Sequence, residues 1–207
     1  MAKYASDNNV HNRTMTLIGH GEISVSPDIA VIRLGVETTG ENLSRIQADN
    51  ARISQSVIQA LQRMGITDIK TSQYSINKVY DYVEGRQFDR GYSVRNILEL
   101  RTNNLEAAGN IIDTAVNAGA NIVDLITFDI SNREYYYQQA LNMAIMNAIQ
   151  KAKSITMNLG ISSTPVPVNI VENTAMLFPV QREFAAATPI MPGAINIAAN
   201  VTVDFVY

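Results

Sequence analysis

The stretch GHGEISVSPD, residues 19–28, decides how this chain is read. It sets His20 between two glycines, with Glu22, Ser24, Ser26 and Asp28 close behind. One reading is a glycine loop that cradles phosphate; the other is a strand running into a turn. A dinucleotide fingerprint needs G-x-G-x-x-G between a strand and a helix, but residue 24 is serine and the following residues continue as a second strand. No helix N-terminus is placed to meet an anion here. The alternation is that of a half-buried strand: Met15, Leu17, Ile23 and Val25 on odd positions, Thr16, His20, Glu22 and Ser24 on even ones. Glycines 19 and 21 then serve a bulge or the close approach of a covering helix.

Chemistry at His20 fails on geometry. Glu22 and Ser24 share its face, but each two-residue step is about 7 Å, beyond the reach a nucleophile needs to its base. A zinc site wants three or four ligands, and His11 is the one other histidine. The carboxylates are scattered, with no pair spaced for glycoside hydrolysis. No catalytic, cofactor or metal residue is assigned, and the chain is expected not to be an enzyme. His20 reads as a solvated strand histidine.

Bulk composition narrows the rest. The 207 residues are 46% hydrophobic and 17% charged, with net charge -3 and sequence pI near 5.4. That balance speaks against nucleic-acid binding, which favours a basic face. The absence of cysteine removes disulfides, thiol nucleophiles and thiolate metal sites. No apolar run approaches the ~20 residues of a membrane-spanning helix. The opening MAKYASDNNVHNRT is polar, so the sequence as written suggests a cytoplasmic protein, with export to the envelope as the alternative.

Working outward, SPD at 26–28 is turn chemistry, and IAVIRLGVET after it is a second strand expected to pair with the first. Leu43, Ile46, Ile53, Val57, Leu61 and Met64 recur at helical spacing, with Gly65 ending the pattern. DIKTSQYSINKVYDYV and GYSVRNILELRT flank the loop EGRQFDR as a long hairpin. A shorter helix covers about Leu105 to Ala118, capped by Asn103 with Glu106 as its partner. NIVDLITFDI is a strand, and SNRE at 131–134, with the capping-box spacing of Ser131 to Glu134, opens the longest helix, which ends near Gly160. PVPVNIVEN is a proline-bearing edge strand, and Ile195 to Tyr207 is the last strand. Three times the chain runs from a helix end through glycine into a strand: RMGITDIKTSQYSI, NAGANIVDLITFDI and NLGISSTPVPVNI. The order ββ-α-ββ-α-β-α-ββ predicts an α+β fold, a largely antiparallel sheet covered by helices, with room for a split-βαβ unit.

The longest helix carries more apolar surface than one sheet covers. Tyr137, Leu141, Ala144, Ile145, Ala148, Ala152, Ile155 and Leu159 form the expected core stripe. Met143, Met146, Ile149 and Met157 extend beyond it, and methionine suits adaptable contacts. Tyr135, Tyr136 and Tyr137 point three ways at ~100° per residue, which fits core plus interface better than a stacking platform. Residues 173–194 hold three prolines among Met176, Leu177, Phe178, Phe184, Ile190 and Met191, predicting a loop docked on protein. The expected contacts between copies are Tyr135, Tyr136, Met143, Met146, Ile149, Met157, Phe178 and Phe184.

Residues 19–50, GHGEISVSPDIAVIRLGVETTGENLSRIQADN, resemble the SIMPL-domain family, which includes bacterial periplasmic immunogenic and oxidative-stress defence proteins. LQRMGITDIKTSQYSI, GYSVRNILEL, AGANIVDLITFDI, ALNMAIMNAIQKAKSI and INIAANVTVDFVY continue the resemblance in order. It covers about residues 14–207 as one domain behind a polar arm, residues 1–13. The resemblance implies an α+β protein, a ring-like or channel-like homo-oligomer, and a stress-protective or envelope-related role. It carries no catalytic residues with it. The expected function is non-enzymatic self-assembly. A small-molecule site or enzyme at a subunit junction, and a protein–protein adaptor, are the alternatives.

Overall fold

A computed structural model describes residues 13–173 and 192–207. Residues 174–191 of the loop expected at 173–194, with Phe178 and Phe184, and nearly all of the N-terminal arm lie outside the described residues. The elements are β1 (Thr14–Val25), β2 (Ile29–Gly40), α1 (Leu43–Arg63), β3 (Ile69–Val83), β4 (Arg86–Thr102), α2 (Ala108–Asn117), β5 (Ile122–Asp129), α3 (Arg133–Asn158), β6 (Val166–Asn173) and β7 (Ile195–Val206). This is the α+β order read from the sequence. The strands divide over two sheets in two units, and every strand pair is antiparallel.

The first unit holds the strand order β1-β7-β6, with α3 packed on one face. Its core joins Ala144, Ala148 and Ala152 to Val201, Val203 and Phe205. Met15, Leu17, Leu141, Ile145 and Ile149 pack around them.

The second unit, Ser26 to Ser131, has the order β3-β4-β2-β5. The chain leaves β2 through α1 and returns as β3, with β4 lying between. It leaves β4 through α2 and returns as β5, with β2 lying between. Two interleaved split-βαβ units make the ferredoxin-like arrangement. Ile32, Leu34 and Val36 of β2 meet Val57 and Leu61 of α1 and Ile111 and Ala115 of α2.

The recurring glycine has one cause. Gly65, Gly119 and Gly160 adopt φ of 84°, 112° and 67°. After each, the next amide reaches back to the helix: Ile66 to Leu61, Ala120 to Ala115 and Ile161 to Thr156, at 3.1, 2.9 and 2.9 Å. Each helix thus closes in a Schellman motif, whose left-handed position costs glycine nothing.

Four expectations are corrected. β1 does not pair with β2; it pairs with β7 along its whole length, while β2 lies between β4 and β5. A tight hairpin needs positive φ, and Pro27 forbids it at its own position. Asp28 instead donates its N–H to Asp129 O, and its carboxylate accepts the Ser131 N–H at 2.7 Å and the Ser131 hydroxyl at 2.5 Å. With Ser131 so engaged, Asn132 caps α3, accepting from the Tyr135 N–H. The loop EGRQFDR shrinks to a turn at Glu84 and Gly85, φ 51° and 76°, and residues 86–90 are strand. Finally, Asn104 rather than Asn103 caps a short 3₁₀ turn, Leu105–Ala107, ahead of α2.

Candidate functional site

The opening stretch is built for contact with a helix. The odd residues of β1 face α3, and at Gly19 and Gly21 the helix comes down onto the strand. A Cβ added to Gly19 would lie 2.0 Å from Ala144 O; one on Gly21 would lie 2.0 Å from Ala140 O. α3 answers with Ala140, Ala144, Ala148 and Ala152, one every four residues and all fully buried. Glycine against alanine lets backbone meet backbone.

β1 is an edge strand, and α3 also guards that edge. Lys151 Nζ donates to Ile18 O at 2.8 Å, and the His20 N–H donates to Asn147 Oδ1 at 3.1 Å. In an antiparallel pair alternate residues turn both backbone groups outward. Two of the outward groups of β1 are therefore held by α3 side chains.

A shallow depression of about 290 Å³ lies beside them, lined by His20, Gly21, Glu22, Met143, Met146, Asn147 and Gln150. His20 Nδ1 stands 2.5 Å from Asn200 Oδ1, on the sheet face away from α3. That face is polar: Asp204 accepts from Thr16 at 2.7 Å and Asn169 at 3.0 Å, and Asn173 donates to Thr202 at 2.9 Å. The hydrogen bonds from Asn169 and Thr16 hold the Asp204 carboxyl below its ordinary range. Among the described residues no group of three or more His, Asp or Glu side chains is arranged to hold a metal ion. None of the described helices is long and apolar enough to cross a membrane.

The expected contact residues separate. Met146 and Met157 stand on the outer face of α3, 54% and 77% exposed, and Met143, 49% exposed, lies on its flank beside Gly21. Tyr135 is exposed and meets Tyr136 edge to face, centroids 5.2 Å apart. Tyr137 turns to β6, its hydroxyl donating to Glu172; that bond, together with burial, pushes the phenol up to about 12. Ile149 packs against the core of its own unit. Ile155 and Leu159, expected in the core stripe, are exposed. The buried line runs instead through Ala140 to Ala152 and on to Thr156, because only small side chains fit against the glycines.

Asn50 and Ser54 were missed by reading for apolar residues. Asn50 is fully buried in α1, and its Nδ2 donates to Val36 O and Val94 O, both at 2.9 Å. Ser54 donates to Asn50 Oδ1 and accepts from Asn96. Their signal was spacing: 46, 50, 54, 57 and 61 form one helical stripe with two polar members.

A family model described as SIMPL, "Protein of unknown function (DUF541)", matches residues 15–205. The chain is 26% identical over 208 residues to the 26 kDa periplasmic immunogenic protein of Brucella melitensis biotype 1, covering 93% of this chain and 83% of that protein. The Brucella abortus (strain S19) protein of the same name matches to the same extent. Uncharacterized protein YggE of Escherichia coli (strain K12) is 25% identical over 140 residues, covering 66% of this chain and 56% of the relative.

Proposed function

The chain belongs to the SIMPL family, and from that premise we propose that it is a non-enzymatic protein that assembles with copies of itself through the outer face of α3. The observation that carries this reading is the methionine face. Met143 and Met146 lie one turn apart and half exposed, on a helix whose opposite side is already buried against its own sheet. Unbranched, polarizable thioethers adapt to a partner surface. A contiguous apolar patch on a soluble domain marks a contact. The guarded edge of β1 supports helix packing over strand addition on this side. A working place in the envelope rather than the cytoplasm is favoured by the name of the Brucella relatives.

Native mass and sedimentation test the assembly: a particle several times 22.7 kDa is expected. Met143→Lys with Met146→Lys should dissociate it while the far-UV spectrum stays unchanged. A wild-type protein that remains a monomer at micromolar concentration ends the proposal. A second reading rests on the depression beside His20 and Glu22, which would make this face a small-ligand site completed by a neighbour. Loss of ligand-induced thermal stabilisation in His20→Gln, with the particle intact, would favour it.

A further inference from the structure

The second unit carries a surface that neither the family match nor the α3 face explains. β3 and β4 run past the end of β2, which pairs last at Gly40 with Tyr92. Beyond that point they form a two-stranded ribbon to the turn at Glu84 and Gly85. Alternate residues share a face, and the register puts Tyr74, Ile76, Lys78, Tyr80 and Tyr82 of β3 on the same face as Tyr92, Asp89 and Gln87 of β4. A bulge at Gly91, φ 90°, keeps that alignment across the shift in register. Tyr74, Ile76, Tyr80 and Tyr82 are all exposed, Tyr82 at 72%.

The chemistry of this strip is specific. Its one cation, Lys78, is bonded to its one anion, Asp89, at 3.1 Å, and lies 6.0 and 5.5 Å from the ring centroids of Tyr80 and Tyr92. The face is therefore neutral, which disfavours nucleic acid and anionic lipid as partners. The turn at its tip is polar, so the ribbon is not shaped to enter a bilayer. From Tyr74 to Tyr82 the strip is about 27 Å long. It is two strands, or about 10 Å, wide only from Lys78 and Tyr92 outward, because Val94 beside Ile76 is buried and Asn96 beside Tyr74 bonds to Ser54 of α1. That is less than roughly 270 Å², well short of the ~800 Å² per partner of a stable protein interface. A narrow, neutral strip of phenol rings suits an extended chain that offers C–H faces to the rings and hydroxyls at its edges. Asp89 also accepts the Gly91 N–H and Gln87 Oε1 accepts from the Tyr82 hydroxyl, yet Lys78 and Asp89 keep unused hydrogen-bonding capacity and Gln87 offers its amide N–H groups.

We propose that this strip binds a neutral oligosaccharide, its pyranose faces stacked on Tyr80, Tyr82 and Tyr92 and its hydroxyls held by Lys78, Gln87 and Asp89. This site does not depend on the α3 face or on assembly. The full chain is titrated by calorimetry with hexamers of N-acetylglucosamine and of β-1,4-linked glucose. Tyrosine emission is followed in parallel, since the chain has nine tyrosines and no tryptophan. Saturable binding of at least one hexamer is expected. Tyr80→Ala with Tyr82→Ala should weaken it at least tenfold, with the unfolding midpoint and particle mass unchanged. Tyr80→Phe with Tyr82→Phe should keep most of the affinity, because the rings remain. No binding of either hexamer at millimolar concentration, or equal binding by the alanine variant, overturns the proposal. So does a fall in particle mass in the alanine variant, which would make the strip a contact between copies. Binding of phosphatidylcholine vesicles in place of the sugars overturns it as well.

Discussion

The carbonyl oxygen of Ala144 stands 2.0 Å from where a Cβ on Gly19 would sit, closer than any two such atoms can approach. The first unit is held together by this seat of helix on strand, and the obstacle is backbone, which cannot swing aside. Gly19→Ala must therefore lift α3 off the sheet. Overpacking of this kind costs about 1–3 kcal/mol, and a value at the top of that range is expected, read from the urea midpoint. Gly109→Ala is the control: its Cβ meets nothing within 4 Å, and it lies in α2 without positive φ. It should stabilise by up to about 1 kcal/mol.

Asn50→Leu should cost about 3 kcal/mol despite its similar volume. It strands Ser54, whose hydroxyl donates to Asn50 Oδ1, and removes both donors to Val36 O and Val94 O. A buried polar group left without a partner costs about 1–3 kcal/mol. Urea unfolding measures the change, and a loss under 1 kcal/mol would show that the network contributes little.

Asp28 gives the second unit a defined sensitivity to acid. The Ser131 hydroxyl and then the Ser131 N–H hold its carboxyl below the ordinary 3.8. A depressed folded-state value means that the unfolded chain binds the proton first, so the contribution is present above pH 3.8 and fades as pH falls through the folded value. Ser131→Ala removes the largest cause and keeps the backbone bond. Its deficit against wild type should be greatest near neutral pH and shrink below pH 3.8, as thermal melts across that range would show. A deficit independent of pH would mean that Ser131 acts through packing alone.

Faces were legible in the sequence, and partners were not. Period-2 alternation placed His20 on the open side of β1, as found, and of the two uses open to the glycines, a bulge or a covering helix, the structure shows the helix. Nothing in that alternation says which strand lies alongside, so β1 was assigned to its chain neighbour β2 rather than to β7, some 180 residues away. The same limit affected α3. Its large apolar residues drew the core stripe toward Ile155 and Leu159, whereas the seat on Gly19 and Gly21 selects alanines. Small-on-small contact leaves a weak hydrophobic signal in a sequence. The depression beside His20 was not legible either, because residues 20–22 and 143–150 meet only through that seat.

The guarded edge of β1 yields the last prediction. An edge strand offers unpaired N–H and C=O groups to any passing strand, and proteins block such edges with lysine and covering side chains. Here Lys151 holds Ile18 O and Asn147 holds the His20 N–H, both from α3. Asn147→Ala with Lys151→Ala removes both guards yet places a better helix former at each position, alanine gaining up to about 0.7 kcal/mol per residue. That gain roughly offsets two exposed hydrogen bonds, each about 1 kcal/mol. Folding stability should therefore move by no more than about 1 kcal/mol, while the edge opens. The His20 amide should exchange with deuterium faster than in wild type. At high concentration the double variant should form larger, strand-paired species that wild type does not. If the amide exchanges faster but the size distribution stays that of wild type, the two side chains only decorate an edge that something else protects. If neither changes, the guard is absent in solution.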